Sequence, residues 1–396
     1  MDENEINGDS YNREIVLDAA SRCRNCNYCF TICPLFQSTR GFMSQTPSGI
    51  LQSIKYAIKW DLLKGKEKEI LRDLLYSCTT CNGCVVRCKA KATGIPVLEA
   101  IEAGRKILRE MMIGPLPQQR KPLKDLYKNG NPYGEKPEKR FEWLEGLSVK
   151  RLPQEQADIL LYVGCTLSYD QDLHNLGKNL LAVFDRLNID YGILENEICC
   201  GDPALRMGDE AIFQELMNEN IQRFKAAGVK KIVTVSPHCF NTLLNEYPPT
   251  EKQWSVRHYV EFLLDVMKDK KAVLKKKLPY TVVYHDACYL GRHNQIYDPP
   301  RELIAMVPGI RLVEMKMKMD ESLCCGGGGG RMFAEVEEEP KLSHTRLYQA
   351  IDAGADVLAT ACPWCFTMLL NAAKDLQVTD RIKVMDITGL LKESMV

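Results

Sequence analysis

Cys324-Cys325-Gly326-Gly327-Gly328-Gly329-Gly330 decides the fold, because its leading triplet occurs twice. Cys199-Cys200-Gly201 precedes it, and the surroundings repeat with it at an offset of 123 to 126 residues. Cys165 corresponds to Cys288, Arg206-Met207 to Arg331-Met332, and Ser236-Pro237-His238-Cys239 to Cys362-Pro363-Trp364-Cys365. Self-similarity at a constant offset is the mark of a duplication. Around these motifs the chain alternates strand-like runs (159–163, 191–194, 231–235, restarting at 281–284) with helix-like ones (175–187, 209–227, 256–267). That alternation predicts two tandem α/β units with parallel sheets.

Adjacent thiols cannot easily both face a core, but both can face a metal. Cys288, Cys324, Cys325, Cys362 and Cys365 give the second unit five thiols in three sequence clusters. Soft thiolates select zinc, copper(I) or iron-sulfur clusters, and five sulfurs exceed what a tetrahedral zinc ion takes. Glycine is costly to order, so five in a row predict close approach of backbone to a bound group and an open site. The plainer alternative is a glycine-rich surface turn beside buried thiols. The first unit offers only Cys165, Cys199, Cys200 and Cys239, with Ser236 where the second has Cys362. A hydroxyl is a poor substitute for a thiolate on iron, so the first unit is at most a further metal site and the second is expected to carry the chemistry. His285 and His293 flank Cys288 as candidate proton donors or hydrogen-bond partners; Arg292 and Arg331 are candidates for substrate anions, Arg331 more readily for a structural contact.

Upstream lie Cys23-x2-Cys26-x2-Cys29-x3-Cys33-Pro34 and Cys78-x2-Cys81-x2-Cys84-x3-Cys88, without histidine among the ligands. This is the bacterial ferredoxin spacing, in which three thiolates of one run share a 4Fe-4S cluster with the last cysteine of the other. Cys23, Cys26, Cys29 and Cys88 are therefore expected on one cubane, and Cys78, Cys81, Cys84 and Cys33 on the second. A pair of zinc knuckles is the alternative. Lys89 replaces an expected proline without touching a ligand. Helical patterns at 14–20 and 50–63 complete a helix-rich domain, 1–112, suited to one-electron transfer. Residues 113–157, rich in proline and charge, read as an extended strap anchored by Phe141, Trp143 and Leu144. The first α/β unit then spans 158–275 and the second 276–396, giving an α+β multidomain chain.

With 396 residues, 45% hydrophobic and 26% charged, the chain has room for two or three cores. Basic and acidic residues number 52 each, so charge implies no nucleic-acid or anionic-membrane partner. Seventeen cysteines in clustered spacings point to metal thiolates in a reducing cytoplasm rather than to disulfides. The start of the chain is acidic and polar, unlike a targeting segment. The apolar run 357–373 contains Pro363 and reads as strand, turn and helix, so no membrane span is expected.

Two ferredoxin runs followed by two Cys...Cys-Cys-Gly...Cys-Pro-x-Cys units (Ser-Pro-His-Cys in the first) resemble the catalytic, D-type subunit of heterodisulfide reductases over essentially the whole chain. They are also similar to the iron-sulfur subunits that accompany glycolate, lactate and glycerol-3-phosphate dehydrogenases or electron-transfer flavoproteins. The resemblance implies cysteine-rich CCG domains and a noncubane 4Fe-4S cluster on Cys288, Cys324, Cys325, Cys362 and Cys365, where iron meets a substrate sulfur. It implies a disulfide or thiol substrate and further subunits, a flavoprotein or a membrane cytochrome subunit, through which the protein would be peripheral to a membrane. An electron-transfer subunit without its own substrate is the alternative, favoured by Ser236.

Overall fold

The computed structural model describes residues 3–39, 41–88, 94–268, 273–334 and 340–395, with side chains from residue 10 onward; Lys89 lies outside them. The N-terminal part is helical. Glu3–Arg22, longer than its apolar pattern, packs on Val97–Glu110 and on Pro47–Lys59, joined by Lys68–Ser77. Pro47–Lys59 starts cleanly because Thr46 Oγ1 accepts from Gly49 N at 3.1 Å and Pro47 holds the first helical position. It stops short of the expected end: a short 3-10 turn, Leu62–Lys64, follows, entered through left-handed Asp61.

Residues 113–157 are not an extended strap. Pro117–Asn129 is a helix closed by left-handed Gly130, and Pro137–Leu144 is a 3-10 helix. Pro117 and Pro137 sit at first helical positions, where the missing N–H costs nothing. Two of the segment's prolines therefore mark where these helices begin, and Pro122 lies within the first. Trp143 and Leu144 are buried, and Phe141 packs on the same core.

The remainder forms two all-parallel sheets. The first comprises β1 (Lys150–Leu152), β2 (Ile159–Tyr162), β3 (Tyr191–Leu194), β4 (Lys231–Thr234) and β5 (Ser255–His258), in the order β1-β3-β2-β4-β5. The second comprises β6 (Thr281–Tyr284), β7 (Arg311–Val313), β8 (Val357–Thr360) and β9 (Lys383–Asp386), ordered β7-β6-β8-β9. The central strands β2 and β8 are buried along their whole length, as parallel strands covered on both faces must be. The helix expected at 256–267 instead opens as β5, because Val256 pairs beside Ile232 of β4; the helix runs Tyr259–Met267. In each sheet the chain leaves the central strand (β2 or β6) toward one neighbour and returns to the other. Ligands of open parallel sheets bind at the carboxyl ends of strands where that reversal occurs, and there all three cysteine clusters of each unit fall.

Candidate metal centres

Both ferredoxin runs fold as similar loops. Asn25 and Asn27 in the first and Thr80 and Asn82 in the second take left-handed backbone at matching positions, curling the chain around its thiols. A cavity of about 370 Å³ is lined by Cys23, Cys26, Cys29 and Cys88. A second, smaller one is lined by Cys33, Cys78 and Cys81, and Cys84 borders both. Cys26 is exposed while Cys33, Cys81 and Cys84 are buried, so the first cavity is outer and the second inner. Burial raises the thiols of Cys29 and Cys78 to about 11. A metal binding there must therefore displace protons that the free thiols hold firmly.

In the second unit the thiols form one continuous series of sulfur contacts: Cys288 to Cys324, Cys324 to Cys325, Cys325 to Cys365 and Cys365 to Cys362. The first unit repeats the series without its last member: Cys165 to Cys199, Cys199 to Cys200, and Cys200 to Cys239 at 3.5 Å. Cys325 and its counterpart Cys200 are both held well below the ordinary thiol value by neighbouring thiols, Cys324 and Cys365 in one case and Cys199 and Cys239 in the other. All nine thiols are buried.

The last cysteine cluster of each unit sits at a helix start. Cys362 is the N-cap of Pro363–Asp375 and makes no side-chain capping bond, leaving its sulfur available. Ser236 is the N-cap of Pro237–Asn241, and its Oγ accepts from His238 N at 3.2 Å. Ser236 thus has a structural task that its counterpart Cys362 does not perform. His238 is bonded through Nδ1 to Asp202 at 3.1 Å.

The donor set of the second unit fits an iron-sulfur group. Five buried sulfurs converge, and two buried donors near them have no partner among the described residues: Arg292 Nη2 and His285 Nε2. Such orphans are costly unless a bound acceptor meets them. His285, Cys325 and Cys365 present ligand atoms within 4.8 Å of one another. Burial, then the nearby Arg346, depresses the His285 imidazole to about 3, so it is neutral at physiological pH. His293 is engaged elsewhere: its ring bonds the Thr80 carbonyl at 2.9 Å and stacks on Tyr289.

The glycines do not open the site. A Cβ on Gly328 would collide with the Thr79 carbonyl oxygen, and one on Gly329 with that of Cys78. These residues let the inner ferredoxin loop lie directly on the Cys324-Cys325 loop, so the close approach is between domains. Cys81 consequently touches Cys324, and the two share a buried cluster with Cys288 and Tyr289. Arg292 and Arg331 also serve this junction: Arg292 Nε donates to Cys81 O at 2.7 Å, and Arg331 Nη1 to Ser77 O at 2.8 Å.

Three residues that sequence reasoning missed also bear on the centres. Arg140, between the helical ferredoxin region and the first sheet, is buried, donates to Cys165 Sγ at 3.1 Å and pairs with Glu197 at 2.8 Å. Arg105 donates to Leu75 O and Cys78 O in the ferredoxin domain, to Arg206 O in the first unit and to Gly329 O in the second. Arg346 holds His285. No local spacing signals any of them.

These features define an iron-sulfur oxidoreductase, and comparison with known proteins agrees. A 4Fe-4S dicluster domain matches residues 19–92, and a cysteine-rich domain matches twice, at 159–244 and 282–370. The chain is 31% identical over 391 residues to the D-type subunit of the dihydromethanophenazine:CoB–CoM heterodisulfide reductase of Methanosarcina acetivorans, covering 94% of this chain and 93% of that one. It is 32% identical to the probable iron-sulfur-binding oxidoreductase FadF of Bacillus subtilis and 32% to the EtfAB:quinone oxidoreductase of Syntrophomonas wolfei, over 82% and 83% of this chain. It spans about half the length of those two relatives, 47% and 48%. A crystal structure of a hypothetical protein from Helicobacter pylori shares the fold, with a TM-score of 0.58 and 12% identity over 88% of this chain and 68% of that one. The chain belongs to the family of iron-sulfur oxidoreductases typified by the D-type subunit of heterodisulfide reductase. Among the described residues no helix is long and apolar enough to cross a membrane.

Proposed function

We propose that this chain is the iron-sulfur subunit of a redox complex in the cytoplasm, carrying single electrons inward to a disulfide or thiol substrate at the second cysteine-rich unit. Two cubane 4Fe-4S clusters, on Cys23, Cys26, Cys29 and Cys88 and on Cys78, Cys81, Cys84 and Cys33, together with a noncubane one on Cys288, Cys324, Cys325, Cys362 and Cys365, would supply one-electron chemistry at thiolate-held iron. The observation that carries the reading is the contact of Cys81 with Cys324. It joins a proposed ligand of the inner ferredoxin cavity to a proposed ligand of the second unit, whereas exposed Cys26 leaves the outer cavity accessible from solvent, where an electron donor would dock. A cavity of about 550 Å³ is bordered by Gly326, the residue after Cys325 in sequence, with Leu342, Met368 and Lys341, and is the proposed entry for a substrate sulfur. Reducing a disulfide takes two electrons that arrive singly, and burial of all five thiols keeps the half-reduced stage from water.

A second reading, an electron-transfer subunit between a flavin dehydrogenase or electron-transfer flavoprotein and a membrane or thiol carrier, is favoured by Ser236, whose hydroxyl is occupied in helix capping. The likeness to the quinone oxidoreductase supports it too. Release of free thiols from disulfides by the anaerobically reduced protein tests the choice. Thiol release that is lost in Cys325→Ser is expected; no release from protein whose three centres all cycle would hand the function to the second reading.

A further inference from the structure

One ring nitrogen of His285 lies within 4.8 Å of the Cys325 and Cys365 sulfurs, which invites its reading as a sixth ligand or a proton shuttle. The bonding of its other nitrogen argues for something different. Arg346 Nε donates to His285 Nδ1 at 3.1 Å. A guanidinium has donors only, so Nδ1 must offer a lone pair and the proton of the neutral ring must be on Nε2. Arg346 is itself immobilised, with Nη1 on Met317 O at 2.7 Å and Gln349 Oε1 at 2.8 Å, and Nη2 on Ser322 Oγ at 3.0 Å. Both side chains are fully buried, so neither relaxes into solvent. Nε2 has no partner among the described residues, and His285, Cys325 and Cys365 present ligand atoms within 4.8 Å of one another.

We infer that Arg346 fixes His285 as a hydrogen-bond donor to the sulfur of the group held by Cys325 and Cys365, and thereby bars it from ligating the metal. A nitrogen carrying its proton has no lone pair for iron, and donating that proton would force the ring to accept one at Nδ1 against a cation. The role left is electrostatic. Hydrogen bonds to sulfur are among the features that set cluster potentials, and a donor stabilises the more negative, reduced state. Arg346 is the positioning residue, acting through the ring it orients. The inference rests on the proposed cluster at Cys288, Cys324, Cys325, Cys362 and Cys365.

Pulsed EPR of the anaerobic wild-type protein, with the second-unit centre made paramagnetic, tests it directly. Expected are an exchangeable proton coupling and only weak nitrogen coupling, both absent in His285→Phe. Strong, directly bonded histidine nitrogen coupling would overturn the inference. In redox titration, His285→Phe should lower the reduced-to-oxidised ratio at a fixed potential about tenfold, equivalent to ~59 mV for one electron. His285→Gln, which keeps an N–H, should recover part of that shift. A cluster present in His285→Phe with an unmoved potential overturns this inference alone. Wild-type protein with no third centre overturns the cluster reading and this inference together.

Discussion

The imidazole of His238 stacks on the phenol of Tyr289 with ring centroids 4.0 Å apart and 29° between planes. His238 lies in the last cysteine motif of the first unit, and Tyr289 follows the first cysteine of the second. Their duplicates meet as well: Trp364 donates through Nε1 to Thr166 Oγ1. Each unit thus reaches into the other with the same loop, and the two thiol series face a shared aromatic wall, since His238 also packs on Trp364 at 4.1 Å. The surroundings of the second unit's first cysteine are therefore framed by a residue of the first unit.

Iron content reports how many centres fill. Anaerobic protein should carry about 12 irons per chain, four for each ferredoxin cluster and four in the second unit. A value near roughly 16 would show that Cys165, Cys199, Cys200 and Cys239 hold a full cluster despite Ser236.

Wire and reaction site should separate genetically. Cys26→Ser should interrupt reduction of the second-unit centre by external donors while leaving that centre's spectrum intact. Cys325→Ser should do the reverse. The check is the spectrum of each centre in each variant; loss of the second-unit signal in Cys26→Ser with folding retained would contradict the division.

The glycine contact can be tested without altering a ligand. Gly328→Ala places a Cβ against the Thr79 carbonyl, forcing the ferredoxin loop outward at a cost of about 1–3 kcal/mol. Rapid-mixing kinetics should show slower passage of electrons from the cubanes to the second unit at unchanged iron content. Unchanged kinetics would mean that the glycines serve some other purpose.

Ser236→Cys supplies the missing thiol and removes the cap bond to His238 N, worth about 1 kcal/mol. After reconstitution a second noncubane signal is expected, with turnover little changed. Cys362→Ser should abolish turnover. Loss of turnover in Cys199→Ser with the second-unit spectrum intact would show that the first unit is catalytic.

Arg140→Met leaves Glu197 buried and without its cation. Breaking a buried pair from one side costs about 3–5 kcal/mol, so the midpoint of thermal unfolding should fall clearly. The double variant Arg140→Met with Glu197→Gln should regain part of it. Equal midpoints for the wild type and the single variant would mean the pair contributes nothing.

The ferredoxin runs and the duplication are legible in the sequence because ligand spacing and offset are local properties that survive without a fold. The strand at 281–284 follows from its apolar run for the same reason. What escaped depends on distant chain segments. Nothing near Gly328 announces that Thr79 will occupy the space a side chain would need, so the glycines read as an open site. Nothing near Arg140 or Arg346 announces a thiol or an imidazole. Proline misled at 113–157 because a residue that begins a helix and one that breaks it look alike until the following residues are placed.

Arg105 gives the duplication its last consequence. One guanidinium is shared by the ferredoxin loop, the first unit at Arg206 and the second at Gly329. Removing the first unit would strip the Arg206 carbonyl from this buried cation, whatever that unit binds. The unit that carries Ser236 is thus a keystone of the architecture: the stone against which the other two lean.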